Sequence, residues 1–381
     1  MKHWIGYVVA LIFAACTWAL KSFAATHSLL VDIIYPYVTR LVMNYLSGKA
    51  ARTDLCLWQI FIAICGVLIL ASIIYYVWRR RNPIRCIGWT LAAICALNLI
   101  STGLFGLNQY AGALSDDIRL ETPGYVAEDL HAALEYYQER ANELATVVPR
   151  DSKGNVIADF DTVAKNAHSG FDVLSREQYY SVFAGGTTPV KKMGWAWANN
   201  ITGTTSKFYP VTGEAVVNEN TPTVGLPFVV CRVMSQRICI ANDPDSAMAG
   251  VLACINNPDP VFQYSGYFMA YRYCYDALSS LPGGAEKFRA QENEMLKRDF
   301  DNYATSFAQR DDRPSGDVPQ ANGEIKNIHV GDLLVSWHIQ QVVKPATEVV
   351  ETPFDPLDET HENLKDLDGI VQHTEPTTEG G

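Results

Sequence analysis

Residues 55–78, LCLWQIFIAICGVLILASIIYYVW, are 24 consecutive positions without an Asp, Glu, Lys or Arg. About 20 apolar residues suffice to cross the hydrocarbon core of a bilayer, and there only a helix satisfies its own backbone. The run therefore predicts a transmembrane helix. A second run, from Cys86 through GWTLAAICALNLISTGLFGLNQY to the polar step Ser115-Asp116-Asp117, is also long enough to span. A shorter segment, from Trp4 to Leu20, is bounded by Lys2 and Lys21. It reads as a retained helix, with a cleaved signal peptide as the alternative because Ser22-Phe23-Ala24 offers small residues before Ala25.

Arg79, Arg80, Arg81 and Arg85 lie between the second and third spans, and the positive-inside rule assigns such a cluster to the cytoplasm. Three spans then put the rest of the chain outside the cell. Trp4, Trp18, Trp58, Trp78 and Trp89 fall near the ends of the runs, as interfacial belts do. Between the first two spans, LLVDIIYPYVTRLVMNYL reads as a helix on the outer membrane surface or capping the bundle, interrupted at Pro36. Spans two and three contain no Asp, Glu or Lys, so no ion relay is evident and anchoring is the simpler role.

Charge divides the chain. Residues 1–107 carry nine Lys/Arg against two Asp/Glu and the remainder 21 against 39, giving +7 and −18, which sum to the net −11. An acidic outer half without a basic stripe excludes nucleic acid as a partner. Nine Cys without a CxxC pair argue against a structural zinc of the finger type.

The outer half reads as mostly helical. Leu130, Leu134, Tyr137, Ala141 and Leu144 recur at helical spacing over 126–147. Helices are expected over 226–240, from Asp243-Pro244 to Ile255, with Asp as N-cap and Pro at the first helical position, over 261–281, and over 285–309. An aromatic, Gly/Thr-rich stretch up to Asn220 suits short strands. From Pro345 the tail holds ten Asp/Glu and one Lys, a composition that cannot fold. The expected organisation is a membrane domain over 1–107 with spans near 4–23, 55–78 and 86–107, an outer domain over 108–344, and a disordered acidic tail over 345–381.

Four words in order, FYPVTGEAVVN from Phe208, LPFVVCRVMSQR from Leu226, DPDSAMAGVLAC from Asp243 and FQYSGYFMAY from Phe262, resemble the bacterial membrane proteins grouped as domain of unknown function 3810. The resemblance implies a mainly α fold: three N-terminal transmembrane helices, then a mostly helical, zincin-like extracytoplasmic domain with a few short strands. It also implies a zinc-peptidase-like site with a His-Glu-x-x-His motif and a downstream acidic ligand. Carried over by position, the first His falls on Arg232, the catalytic Glu on Val233, the second His on Gln236 and the acidic ligand on Asp245. Arg232 is permanently cationic, Val233 cannot accept a proton and Gln236 offers only a weak carbonyl. Only Asp245 remains a ligand type, and no His lies between Ser169 and Ile328.

The expectation is therefore a membrane-anchored pseudo-peptidase of the bacterial cell envelope with no catalytic residue, metal or cofactor, whose partners are the membrane and a peptide or other envelope ligand. Arg232 is expected to pair with Asp245 and Glu214 in the vacated position, or else to be solvated while Asp243 and Asp245 cap a helix. Glu214, Tyr264, Tyr267 and Tyr271 are candidate groove residues, although a tyrosine stripe at helical spacing, Tyr275 included, is more often core. Cys231, Cys239, Cys254 and Cys274 are either paired in an oxidising exterior or buried, and Cys231 and Cys239, about 12 Å apart on one straight helix, cannot pair with each other.

Two other readings stay open. One is a hydrolase with an unusual metal set of Asp245, Glu214 and His168 or His338. The other is a structural envelope scaffold. An open cleft at Tyr267, Tyr271 and Glu214 favours a binding module; a packed interior there favours the scaffold.

Overall fold

The apolar runs become α1 (Ile5–Thr26), α3 (Leu57–Trp78) and α4 (Ile84–Leu104), with α2 (Ser28–Ala50) between the first two. A computed structural model describes residues 4–79, 84–122, 124–176, 178, 180–279, 285–312, 314–320 and 324–345. Helices α1, α3 and α4 hold 22, 22 and 21 residues and are apolar and long enough to cross a membrane. At 1.5 Å per residue each is about 32 Å long, which matches the hydrocarbon core. None of the most apolar stretch of α3 is buried, a surface suited to lipid.

Helices α1 and α4 run parallel. At their starts a Cβ on Gly6 would lie 2.6 Å from the Gly88 carbonyl carbon, so the backbones meet through glycine, as small residues allow in membrane helix pairs. At the other end Ala24 packs with Leu107 and Val31 of α2. Helix α4 stops at Leu104, short of the expected 107, and Gly106–Tyr110 tightens into a 3-10 turn. There the Asn108 amide donates to the Phe105 carbonyl at 3.0 Å.

Pro36 does not interrupt α2, which runs 23 residues through it. Thr39 Oγ1 donates back to the carbonyls of Tyr35 and Pro36 at 2.8 and 3.3 Å. Arg40, one residue on, reaches the Ile238 carbonyl through Nε at 3.2 Å.

The remainder is mainly helical, around α5 (Ala127–Val147), α6 (Leu226–Arg237), α7 (Asp243–Ile255), α8 (Pro260–Ser279), α9 (Glu294–Thr305) and α10 (Val330–His338). Helix α8 is apolar and aromatic on nearly every face, and it is buried between α5 and α7 while α6 packs on α7. A Cβ at Gly250 would lie 3.1 Å from the Arg232 Cα, so α7 crosses α6 closely at that residue. The crossing fixes where Arg232 sits.

Several boundaries differ from the pattern-based expectation. Helix α6 ends at Arg237, before Ile240, because Cys239 takes a left-handed φ of 81° and Ile240 N–H closes back on the Ser235 carbonyl at 3.1 Å. Helix α7 has Asn242 as N-cap, with Asp243 and Pro244 already inside its first turn, one residue off the expected frame. The single helix expected over 285–309 is two, Glu286–Arg289 and α9, because Asn293 caps the second by accepting from Leu296 N–H at 2.8 Å.

Strands β1 (Lys191–Lys192), β2 (Ser206–Tyr209) and β3 (Glu214–Val217) form one sheet in the order β1-β3-β2. The central β3 is parallel to β1 and antiparallel to β2, with Tyr209 opposite Glu214. A second, unanticipated hairpin pairs β4 (Ser315–Pro319) with β5 (Ile325–His329). Among the described residues, those up to Trp337 form one compact unit and those from His338 onward belong to another. Arg80, Arg81 and the tail expected to be disordered, from 346 onward, lie outside the described residues.

Candidate functional site

Four elements from separate stretches of the chain form the three walls of a cleft of about 470 Å³. Lys21 of α1 and Asn98 and Ser101 of α4 contribute one wall, Lys207 and Phe208 of β2 another, and Arg232 and Gln236 of α6 the third, with Asp243 and Asp311 also lining it. Because Ser101 lies in the last turn of α4 and Lys21 five residues before the end of α1, the cleft lies toward the end of these membrane-length helices opposite Gly6 and Gly88.

Arg232 is buried. Its Nη2 pairs with Asp243 Oδ1 at 3.2 Å, and its Nε has no hydrogen-bond partner among the described residues. Burial opposes its charge, and Tyr273, Asp243, Asp312 and Asp311 more than offset that, so the guanidinium holds its proton more tightly than a free arginine. Asp311 is engaged by the amide and hydroxyl of Thr205. Among the described residues Lys21 and Lys207 have no carboxylate partner, and both are exposed.

The four motif positions do not converge. Arg232 and Gln236 line this cleft, while Val233 is fully buried in the core. Asp245 lines a separate cavity of about 140 Å³ with Asp32, Arg40, Asn108 and Asp117. Its Oδ2 accepts from Leu114 N–H at 3.2 Å and its Oδ1 is buried without a hydrogen-bond partner among the described residues. Burial pushes this carboxyl up to about 7 against the hydrogen bonds from Leu114 and Asn242. Asp117 is likewise raised to about 6, by burial and by Asp32. The expected pair of Arg232 with Asp245 and Glu214 is thus corrected: the partner of Arg232 is Asp243, which the close α6–α7 crossing places beside it.

Glu214 serves elsewhere. Its side chain is fully buried and accepts from the amides of Leu57 and Trp58, both at 2.9 Å, from Thr212 Oγ1 at 2.8 Å and from Lys191 Nζ at 2.8 Å. A carboxylate thus sits on the first N–H groups of α3, where the helix dipole favours it. Burial works against the charge, and Lys191, Leu57, Trp58 and Thr212 outweigh it, holding the carboxyl below the usual glutamate range. Gln59 adds a two-bond contact with Gly194, so the start of α3 is fastened to the loop after β1.

The tyrosine stripe lines no groove. Tyr264 and Tyr271 are completely buried, donating to Asp299 and Glu292, each at 2.7 Å, and Tyr267 is nearly so, packed against Tyr136 and Tyr137. The groove expected at Tyr267, Tyr271 and Glu214 is packed interior. His168 lies in the short helix His168–Arg176 beside Asp172, and among the described residues no three His, Cys, Asp or Glu side chains come together as a metal ion requires. Cys231, Cys239, Cys254 and Cys274 are buried free thiols.

Sequence reasoning missed Lys21, Lys207, Lys191 and the pair of Arg272 with Asp312, all of which depend on long-range contacts. Lys21 had one signal, as the charge closing an apolar run.

The fold and cleft define a mainly helical protein with three membrane-length helices, two of which, α1 and α4, build the polar site jointly with the domain that follows. The sequence profile described as "Protein of unknown function (DUF3810)" matches residues 32–322, and the chain belongs to that family. No curated protein and no solved structure matches it.

Proposed function

We propose that this protein is a membrane-anchored, non-catalytic binding protein of the cell envelope, a pseudo-peptidase whose cleft receives a ligand without metal-dependent hydrolysis. The observation that carries the reading is Arg232: a buried guanidinium paired with Asp243 faces the cleft where the family resemblance would put a metal-binding imidazole. A fixed cation repels a second cation, and Val233, turned into the core, has no base to offer. Arg79 and Arg85 lie at the ends of α3 and α4 away from the cleft, and the positive-inside rule then sets the helical domain on the extracytoplasmic side of a three-span anchor.

The test is zinc content by plasma mass spectrometry on the full-length chain, purified in detergent without a His tag or added metal. Near-zero zinc is expected; one zinc per chain overturns the reading. The scaffold reading draws support from the packed interior around Tyr264 and Tyr271, and it predicts that no small ligand stabilises the protein through the cleft.

A further inference from the structure

The cleft carries an excess of positive charge at the level where a bilayer's headgroups lie, and we infer that it binds the phosphodiester of a membrane lipid. The inference rests on the reading of α1 and α4 as membrane-crossing helices. Lys21, Lys207 and Arg232 supply three cations against the carboxylates of Asp243 and Asp311, a net of +1. Both carboxylates are already engaged, by Arg232 and by Thr205. One phosphodiester carries one negative charge and neutralises the site; the dianion of free phosphate overshoots it.

The donors suit the same group. The Arg232 guanidinium lines the cleft, its Nη2 on Asp243 and its Nε buried without an acceptor among the described residues, so its hydrogen-bonding capacity is not exhausted by the protein. The two lysines have no partner among the described residues, and charge-assisted bonds from ammonium or guanidinium to phosphate are the strong class. The amide of Gln236 and the hydroxyl of Ser101 line the same space.

Placement selects a lipid over a soluble phosphate. Lys21, Asn98 and Ser101 continue directly into the apolar surfaces of α1 and α4, where Leu11, Trp18, Leu91 and Ile94 are exposed. A headgroup seated in the cleft leaves its acyl chains along those surfaces. No peptide gains that continuity.

The test uses the full-length protein in a neutral detergent and follows its melting temperature against three probes: dioleoyl phosphatidylglycerol, dioleoylglycerol, which lacks the phosphate, and inorganic phosphate. Phosphatidylglycerol should raise the melting temperature saturably, dioleoylglycerol should not, and inorganic phosphate should act only at far higher concentration. Lys207→Ala and Lys21→Ala should each weaken the lipid's apparent affinity by about tenfold, and Lys207→Glu should abolish the effect. Both lysines are exposed, so these variants report on binding even where Arg232→Ala fails to fold. Equal protection by dioleoylglycerol, protection by inorganic phosphate as strong as by the lipid, or lipid protection that survives Lys207→Glu each overturns the inference. Zinc content on the same preparation judges the non-catalytic reading separately.

Discussion

Replacing Glu214 by alanine should detach the start of α3 from the folded domain. The carboxylate accepts two hydrogen bonds from the first amides of α3, one from Thr212, one from the Lys191 ammonium, whose side chain is only 10% exposed, and a long one from the Cys56 thiol at 4.0 Å. In Glu214→Ala the ammonium keeps the carbonyls of Ala50 and Leu55 but loses its countercharge, and two helix-terminal N–H groups lose their acceptor. Breaking a buried pair by removing one partner costs about 3–5 kcal/mol, because the remaining charge is left uncompensated. For a unit of this size that corresponds to a fall in melting temperature on the order of 5–10 °C.

Two assays check it on the full-length chain in detergent. Thermal unfolding gives the magnitude. Limited trypsin digestion gives the location, because Lys191 and Glu214 together tether residues 51–58 and Arg52 is exposed within them, so cleavage after Arg52 should accelerate. The double variant Lys191→Met/Glu214→Leu should recover much of the loss, since an apolar pair leaves no orphan charge. The pH dependence follows from the depressed carboxyl: its stabilisation is fully present above the ordinary glutamate range and is lost as pH falls through the lower folded value. A Glu214→Ala protein melting within about 1 °C of wild type refutes the clamp, given the size expected for a buried pair.

Asp245 titrates in the opposite sense. Its folded value near 7 lies above the unfolded one, so its contribution is fully present below about pH 4 and is lost as pH rises through 7. Asp245→Asn should therefore melt higher than wild type at pH 8 and alike at pH 4, and parallel melting curves across that range would exclude the assignment. Tyr264→Phe and Tyr271→Phe should each cost about 1–2 kcal/mol by removing a bond to Asp299 or Glu292, while leaving stabilisation by phosphatidylglycerol unchanged. A lost lipid effect would put the tyrosines back at a binding surface. Gly250→Leu should cost about 1–3 kcal/mol by forcing α7 away from the Arg232 backbone, and a neutral result in thermal unfolding would contradict the close crossing.

The long apolar helices were legible because length without charge is a local mark, closed by Lys21 at one run and Arg79 at another. Helix α5 was legible for a similar reason, its apolar positions recurring at one face and Leu130, Leu134, Tyr137 and Ala141 being buried on it. The break before α9 was only half legible. Asn293 is a good N-cap residue, but its own amide and side chain are held by Asn142, 151 positions away, and that contact leaves no trace in the pattern. The hairpin of β4 and β5 escaped notice because its strands are short and weakly alternating.

The motif positions show the same division more sharply. Their identities were legible, since arginine, valine and glutamine differ in chemistry from the two histidines and the glutamate that the family resemblance would put there. Their places did not follow from spacing. On α6, Arg232 and Gln236 lie four apart on one face, as helical periodicity requires, and both reach the cleft. Asp245, on α7, is set by a different contact: Leu114 takes its Oδ2, so it faces the small cavity beside Asp32 and Asp117. Asp243, two residues earlier and on the exposed side of the same turn, is left to meet Arg232. The cationic residue thus keeps a carboxylate partner at the rim of the cleft while the deeper carboxylate is withdrawn from it, and this separation leaves the cleft with a net positive charge. Had Asp245 turned toward Arg232, the cleft would carry three carboxylates against three cations and no electrostatic preference for an anion.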